Sequence, residues 1–347
     1  MMRKSGIAFV AALLIGLATA VSSAPSSVDL VQSALPSDLL LPHRGSWRAA
    51  LGNTLNPNPP TQPARLIFIH HSTGENLLAD ENGGLGIALM DNRYFVSDTN
   101  YGWGPDGIGD TTDIGHWWLW FRGPNSPTYL SALYAESEQH ASYSRLATAP
   151  DGPNAIILFK SCFPNSALQG DSAEPVPPID SNPLKGQDSA STAHTVANAK
   201  GIYISLLDYF RTQPDKLFIV LAAPPLSDQT WADNARAFNQ WLSTEWLKNY
   251  PYRNVAVFDF YNVLTTNGGS PDINDLYRET GNHHRLYNGS VQHKTDGDDD
   301  PNHNILEYPS GDDHPSRAGN LKATAEFLPL LNVFYHCWRG TGGCPRT

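Results

Sequence analysis

Leu66-Ile67-Phe68-Ile69 is an unbroken apolar run, followed at once by His70-His71-Ser72-Thr73-Gly74-Glu75-Asn76. Consecutive apolar residues without alternation fit a strand buried on both faces. Three later runs read the same way: Ala155-Ile156-Ile157-Leu158-Phe159, Leu217-Phe218-Ile219-Val220-Leu221 and Val255-Ala256-Val257-Phe258-Asp259-Phe260. Amphipathic patterns lie between and after them. Val196, Ala199, Tyr203, Leu206 and Phe210 share one face at helical spacing, as do Ala235, Phe238, Leu242 and Trp246. A last helix is expected from near Arg317 to about Leu330. Buried strands alternating with such helices predict an α/β domain, its parallel sheet covered by helices on both faces.

Two stretches break this rhythm and predict long loop insertions. Residues 91–150 are dense in Gly, Trp and Tyr, and residues 268–311 are polar and rich in His, Asn and Asp. Long loops inside a compact domain are usually functional or disordered, and aromatic content favours order in the first.

The ends of the chain read differently. Met1-Met2-Arg3-Lys4 precedes an apolar run from Ile7 to Val21, with small residues through Ala24. This predicts a cleaved signal peptide over residues 1–24, with a retained amphipathic anchor as the alternative. The run falls short of the about 20 apolar residues a membrane span needs, so the mature protein is expected to be secreted or periplasmic, without a membrane span. Residues 25–63 form an N-terminal arm rich in Ser, Pro and Asn, residues 64–335 one domain, and residues 336–347 a C-terminal loop.

A net charge of −11, without any Lys/Arg block, argues against nucleic acid as a partner. Three cysteines make no disulfide framework. Cys337 and Cys344, separated by a glycine-rich segment, are expected to close a small ring in an oxidising compartment. Cys162 is left over, as a small core residue or a reactive thiol.

Ligands of a parallel sheet bind at the carboxyl ends of its strands. There stand His70-His71-Ser72, then Lys160-Ser161-Cys162-Phe163-Pro164-Asn165-Ser166, then Ala222-Ala223-Pro224-Pro225. Just before the last helix comes Ser310-Gly311-Asp312-Asp313-His314-Pro315-Ser316-Arg317-Ala318-Gly319-Asn320. A serine in a strand-to-helix turn exposes its hydroxyl beside amide groups at the helix start. An imidazole held by a carboxylate can take the hydroxyl proton, while backbone or Asn donors hold an oxyanion. Ser72, His314 with Asp312 or Asp313, and Asn165 are the candidates for these roles.

These blocks resemble the SGNH (GDSL-like) hydrolases. Ile69-His70-His71-Ser72 stands where that family has its Gly-Asp-Ser, and Asp312-Asp313-His314-Pro315-Ser316 looks like its closing Asp-x-x-His-Pro block. Phe159 to Ser166 is similar in place to the block that supplies an oxyanion Asn, and Tyr101-Gly102-Trp103-Gly104 to the glycine donor. His70-His71 replaces the family's Gly-Asp, no Gly-x-Asn-Asp follows the second strand, and Gly311 stands three before the histidine. The resemblance, spanning about residues 65 to 332, implies a flavodoxin-like three-layer fold and ester hydrolysis without metal or cofactor. It implies Ser72 as nucleophile, His314 as base, Asp312 (with Asp313 as substitute) orienting the imidazole, and an oxyanion hole from Ser72, Gly102 and Asn165.

Each candidate has a structural counterpart. Ser72 and Glu75 have the spacing of a capping box. His314 could be a surface or capping histidine. His70-His71 could bind a metal with Asp312, His314 or His283-His284, yet neighbours on a strand point to opposite faces. One of the pair is therefore expected under the sheet and the other, His71, in the pocket. Lys160 orients its loop or meets an anionic substrate. Trp117, Trp118 and Trp120 form either a stacking wall for substrate or a hydrophobic plug. Asp296-Gly297-Asp298-Asp299-Asp300, with Glu307, reads as a solvated acidic loop or a calcium loop. The expected activity is removal of a small acyl group, such as acetyl, from a carbohydrate or related exported substrate. A non-catalytic glycan-binding or cell-surface module and a metal-dependent hydrolase are the alternatives.

Overall fold

The computed structural model describes residues 55–265, 284–287, 290–293 and 304–345. The expected signal peptide, most of the N-terminal arm, His283 and the Asp296–Asp300 stretch lie outside the described residues. In chain order the elements are β1 (Ala64–Ile69), α1 (Ser72–Leu78), α2 (Leu85–Asp91), β2 (Tyr94–Thr99), α3 (His116–Phe121) and α4 (Ser126–Ala135). Then come β3 (Ile156–Lys160), α5 (Val196–Phe210), β4 (Leu217–Leu221), α6 (Ala232–Thr244), β5 (Val255–Phe258) and α7 (Phe260–Leu264). The hairpin strands β6 (His284–Tyr287) and β7 (Ser290–His293) pair antiparallel, and α8 (Arg317–Arg339) is the last helix. No described helix is long and apolar enough to cross a membrane.

The main sheet has the order β2-β1-β3-β4-β5 and is parallel throughout. Its register aligns the apolar runs laterally: Leu66 lies opposite Ile156, and Ile157 opposite Phe218. β3 and β4 are buried along their whole length, which requires cover on both faces. α1, α2, α7 and α8 pack on one another as one helical group; α3, α4, α5 and α6 form a second. This is a three-layer α/β fold. Its strand order reverses direction between β1 and β3, and the crevice at such a switch point is where doubly wound sheets hold ligands.

Some boundaries differ from the sequence reading. The stretch from 91 to 150 is not a loop insertion throughout: it contains the strand β2 and the helices α3 and α4. The run read as Val255 to Phe260 divides, because the Asp259 carboxylate accepts the Asn262 N–H at 3.0 Å and starts α7. Trp246 lies beyond the end of α6, buried, with its indole N–H on the Tyr203 carbonyl at 3.0 Å. α8 continues past Leu330, through Pro329, to Arg339. Cys337 is thus in its last turn, and the expected bond to Cys344 is formed.

Candidate active site

Ser72 is the first residue of α1 and follows β1 after two histidines. The helix is capped by His71, whose backbone is extended, without any side-chain cap bond. The capping-box reading of Ser72 is therefore overturned: Glu75 instead accepts from Asn100 Nδ2 at 3.1 Å, and the serine hydroxyl is left for other work. Gly74 makes this arrangement possible. A Cβ there would lie 2.3 Å from the Cβ of His70, so only glycine lets α1 start so close to the strand end.

Ser72 Oγ lies 2.8 Å from His314 Nε2. His314 Nδ1 lies 3.1 Å from Asp312 Oδ1. A carboxylate can only accept, so Nδ1 carries the proton and Nε2 is the acceptor facing the hydroxyl. Asp312 is held by its own turn: its Oδ1 accepts the His314 N–H at 2.8 Å and faces the Ser310 hydroxyl at 2.9 Å. Those bonds, first the backbone N–H of His314, then Ser310, then the imidazole, hold the carboxyl below the usual Asp range. Asp313 points elsewhere, accepting the Ser227 N–H at 2.9 Å, and so ties the histidine turn to the segment after β4. The geometry thus separates the two acids that the sequence could not. Phe163 places its ring edge-on to the imidazole at 4.9 Å.

The two histidines after β1 divide as the pleat requires. His70 is fully buried, with Nε2 on Asp98 at 3.1 Å and Nδ1 facing the His71 carbonyl at 2.9 Å. His71 is half-buried, donating from Nε2 to the Gly109 carbonyl at 2.6 Å and receiving the Thr112 hydroxyl on Nδ1 at 3.1 Å. Burial, before any other cause, lowers its basicity, and the nearby Lys160 charge adds to that. Tyr101, 62 % exposed, stacks on His71 with ring centres 3.9 Å apart.

Other expected site residues have different partners. Asn165 is buried; its Nδ2 donates to Asp113 at 2.6 Å and its Oδ1 accepts the Ile114 N–H at 2.8 Å. It clamps two loops and does not present a donor to the Ser72 hydroxyl. Gly102 likewise donates its N–H to Asp110 Oδ1 at 2.7 Å, away from Ser72. Trp117 and Trp120 are fully buried, with their indole N–H groups on Ser161 Oγ and the Thr111 carbonyl. They are core, and the plug reading holds for them. Trp118 is half-buried, with Lys185 over its ring at 5.5 Å. Lys160 is completely buried and cannot meet a substrate from the surface.

Cys162 stands within the cluster, its Sγ 3.7 Å from Ser72 Oγ and 2.9 Å from Thr73 Oγ1. Burial raises its thiol, but the charge of Lys160 and hydrogen bonds from Thr73 and Ser72 together outweigh that and leave it below the ordinary value. Sequence reasoning missed Ser310, Thr73 and Asp98. The first was legible in principle, since Ser-Gly-Asp is a turn signature; the last was hidden with β2. Among the described residues, no group of three potential ligands is gathered for a metal ion. The chain matches no protein-family model, no curated protein and no solved structure.

Proposed function

We propose that this chain is a serine ester hydrolase and a divergent member of the SGNH (GDSL-like) hydrolases. The observation that carries the reading is the continuous contact from Ser72 Oγ through His314 to Asp312, 2.8 Å and then 3.1 Å, at the carboxyl ends of parallel strands. Ser72 Oγ attacks the ester carbonyl as His314 Nε2 takes its proton. Asp312 holds the imidazole in the tautomer that can accept and stabilises the imidazolium that forms. The histidine then gives its proton to the leaving alcohol, and water reverses the sequence to free the acid. The first N–H groups of a helix lack an intrahelical acceptor, so the amide of Ser72 is the donor we assign to the oxyanion.

The substrate we favour carries a small acyl group, such as acetyl, on a carbohydrate or a related exported molecule. Tyr101 supports this choice: an exposed ring one residue of stacking away from the nucleophile offers a flat face to a sugar. The leader residues support export to a secreted or periplasmic location. A fluorophosphonate ester probe tests the mechanism, with the adduct located by peptide mass spectrometry. The expected result is an adduct on Ser72 that is absent in His314→Ala. A folded protein that takes no adduct on Ser72 would overturn the proposal.

A further inference from the structure

Ester hydrolysis as described makes no use of Cys162, although its sulfur is 3.7 Å from the nucleophilic oxygen. Among the described residues it is the free cysteine, and it is half-buried rather than sealed in the core. A second observation stands two residues before it in the chain. Lys160, the last residue of β3, is fully buried. An ammonium carries three donors. Lys160 makes one hydrogen bond, to the Ser161 carbonyl at 3.3 Å, and no carboxylate pairs with it among the described residues. A buried ammonium without a carboxylate is costly, and burial accordingly lowers the basicity of Lys160. The acidic group whose charge opposes that lowering is the thiol of Cys162, two residues along the chain.

The other groups around the sulfur have contacts of their own. From α1, Thr73 directs its hydroxyl at Sγ. His71 is held by the Gly109 carbonyl and Thr112. From the turn before α8, His314 reaches the sulfur only through Ser72. Asp113 is engaged by Asn165 and the Ser189 N–H.

We propose that Cys162 is a second reactive centre of the site, a thiol that takes soft electrophiles such as peroxides and whose modification silences Ser72. The sulfur attacks one peroxide oxygen, the O–O bond breaks, and hydroxide leaves. The thiol is oxidised to a sulfenic acid and the peroxide is reduced. The added oxygen crowds the Ser72 hydroxyl, 3.7 Å from the sulfur, and obstructs the approach of an acyl group. Only the silencing half rests on Ser72 being the nucleophile.

The test alkylates the folded full chain with iodoacetamide over a series of pH values and maps the adducts by peptide mass spectrometry. Cys337 and Cys344 are bonded to each other and serve as internal controls. Cys162 should be alkylated in the folded state, with a midpoint below the about 8.5 of a free thiol. Lys160→Met should slow the reaction near neutral pH by about tenfold. Hydrogen peroxide with a dimedone trap should mark the same residue. Fluorophosphonate labelling of Ser72 should fall in step with Cys162 modification, and labelling of Cys162→Ser should be indifferent to iodoacetamide. Alkylation only after denaturation, or a midpoint at or above that of a free thiol, overturns the reactive thiol. This holds even where Lys160→Met fails to fold. Complete alkylation with Ser72 labelling intact overturns the silencing. If the untreated chain takes no fluorophosphonate, the serine reading fails by itself, and the alkylation profile still decides the thiol.

Discussion

Asn165 offers the sharpest contrast between two roles for one side chain. As an oxyanion donor, its removal would cost about 10²- to 10³-fold in kcat with little change in stability. The structure gives the opposite expectation. Asn165→Ala strips the Ile114 N–H of its acceptor, and Ile114 is 1 % exposed, so that donor is left without water. An orphaned buried donor costs about 1–3 kcal/mol. The substitution also removes a 2.6 Å donor from Asp113, a bond to a charged group worth about 1.5–3 kcal/mol. With partial relaxation we expect a loss of about 3 kcal/mol, equivalent to a fall in Tm of about 6–12 °C for a domain of this size. Urea unfolding of wild type and Asn165→Ala measures it, with kcat on an aryl acetate ester below the transition. Asp113→Asn should be coupled to it in a double-mutant cycle by about 1 kcal/mol or more. Unchanged stability with kcat down a hundredfold would refute the clamp and restore the oxyanion role.

The acid of the triad is open to test by charge alone. Asp312→Asn keeps an acceptor for the His314 N–H and loses only the charge, 3.1 Å from Nδ1. Because the Asp312 side chain is 64 % exposed, solvent screens that charge, and we expect kcat to fall roughly ten- to a hundredfold rather than the about 10⁴ of a buried triad acid. Asp313→Asn should leave kcat within about twofold, since that carboxylate meets Ser227 and not the imidazole. The Asp312 carboxyl is held low in the folded state, so its contribution to the turn is present above the unfolded value of about 3.9 and is lost only as pH falls through the lower folded one. A carboxyl chemical-shift titration should place its midpoint below about 3.9, and a midpoint at or above that refutes the turn geometry. Gly74→Ala should destabilise by about 2–3 kcal/mol in urea, because the new Cβ meets His70 at 2.3 Å.

The legible part of the fold was the part whose sequence is apolar on both faces. β1, β3 and β4 announce themselves because residues 66–69, 156–159 and 217–221 are hydrophobic toward both helical layers. β2 is equally buried, yet its second half reads Ser97-Asp98-Thr99, which looks like a turn. Ser97 and Asp98 are matched by partners distant in sequence: Ser97 donates to the Glu136 carbonyl, and Asp98 receives His70, the His140 N–H and the Tyr143 hydroxyl. No local pattern encodes such pairing. The same distinction divides the site. Ser72 and His314 were placed by position, at a strand end and before the last helix, and the fold sets them 2.8 Å apart. Asn165 and Gly102 were assigned by likeness of place, but a carboxamide's use depends on which group faces it. Here that group is Asp113, 52 residues away in sequence.

What holds the candidate triad in shape follows from where its acid sits. A buried carboxylate is fixed by packing, but Asp312 stands in water and has no core around it. Its position comes instead from short bonds within the turn itself. Ser310 and the His314 N–H converge on one oxygen, and the Ser310 hydroxyl also faces the His314 carbonyl at 2.9 Å. Gly311, at φ 111°, supplies a backbone conformation that other residues rarely adopt. The bond from the Ser227 N–H to Asp313 and the His314–Ser72 contact fasten this unit to the sheet side, and Phe163 abuts the imidazole from the other loop. The adjacency of Asp312 and Asp313 then has a physical meaning: the first orients the imidazole and the second anchors the turn that carries it. Geometry that rests chiefly on bonds within one turn is local. Changes in the turn should disturb the chemistry more than the stability, and changes such as Asn165→Ala, deep between loops, should do the reverse.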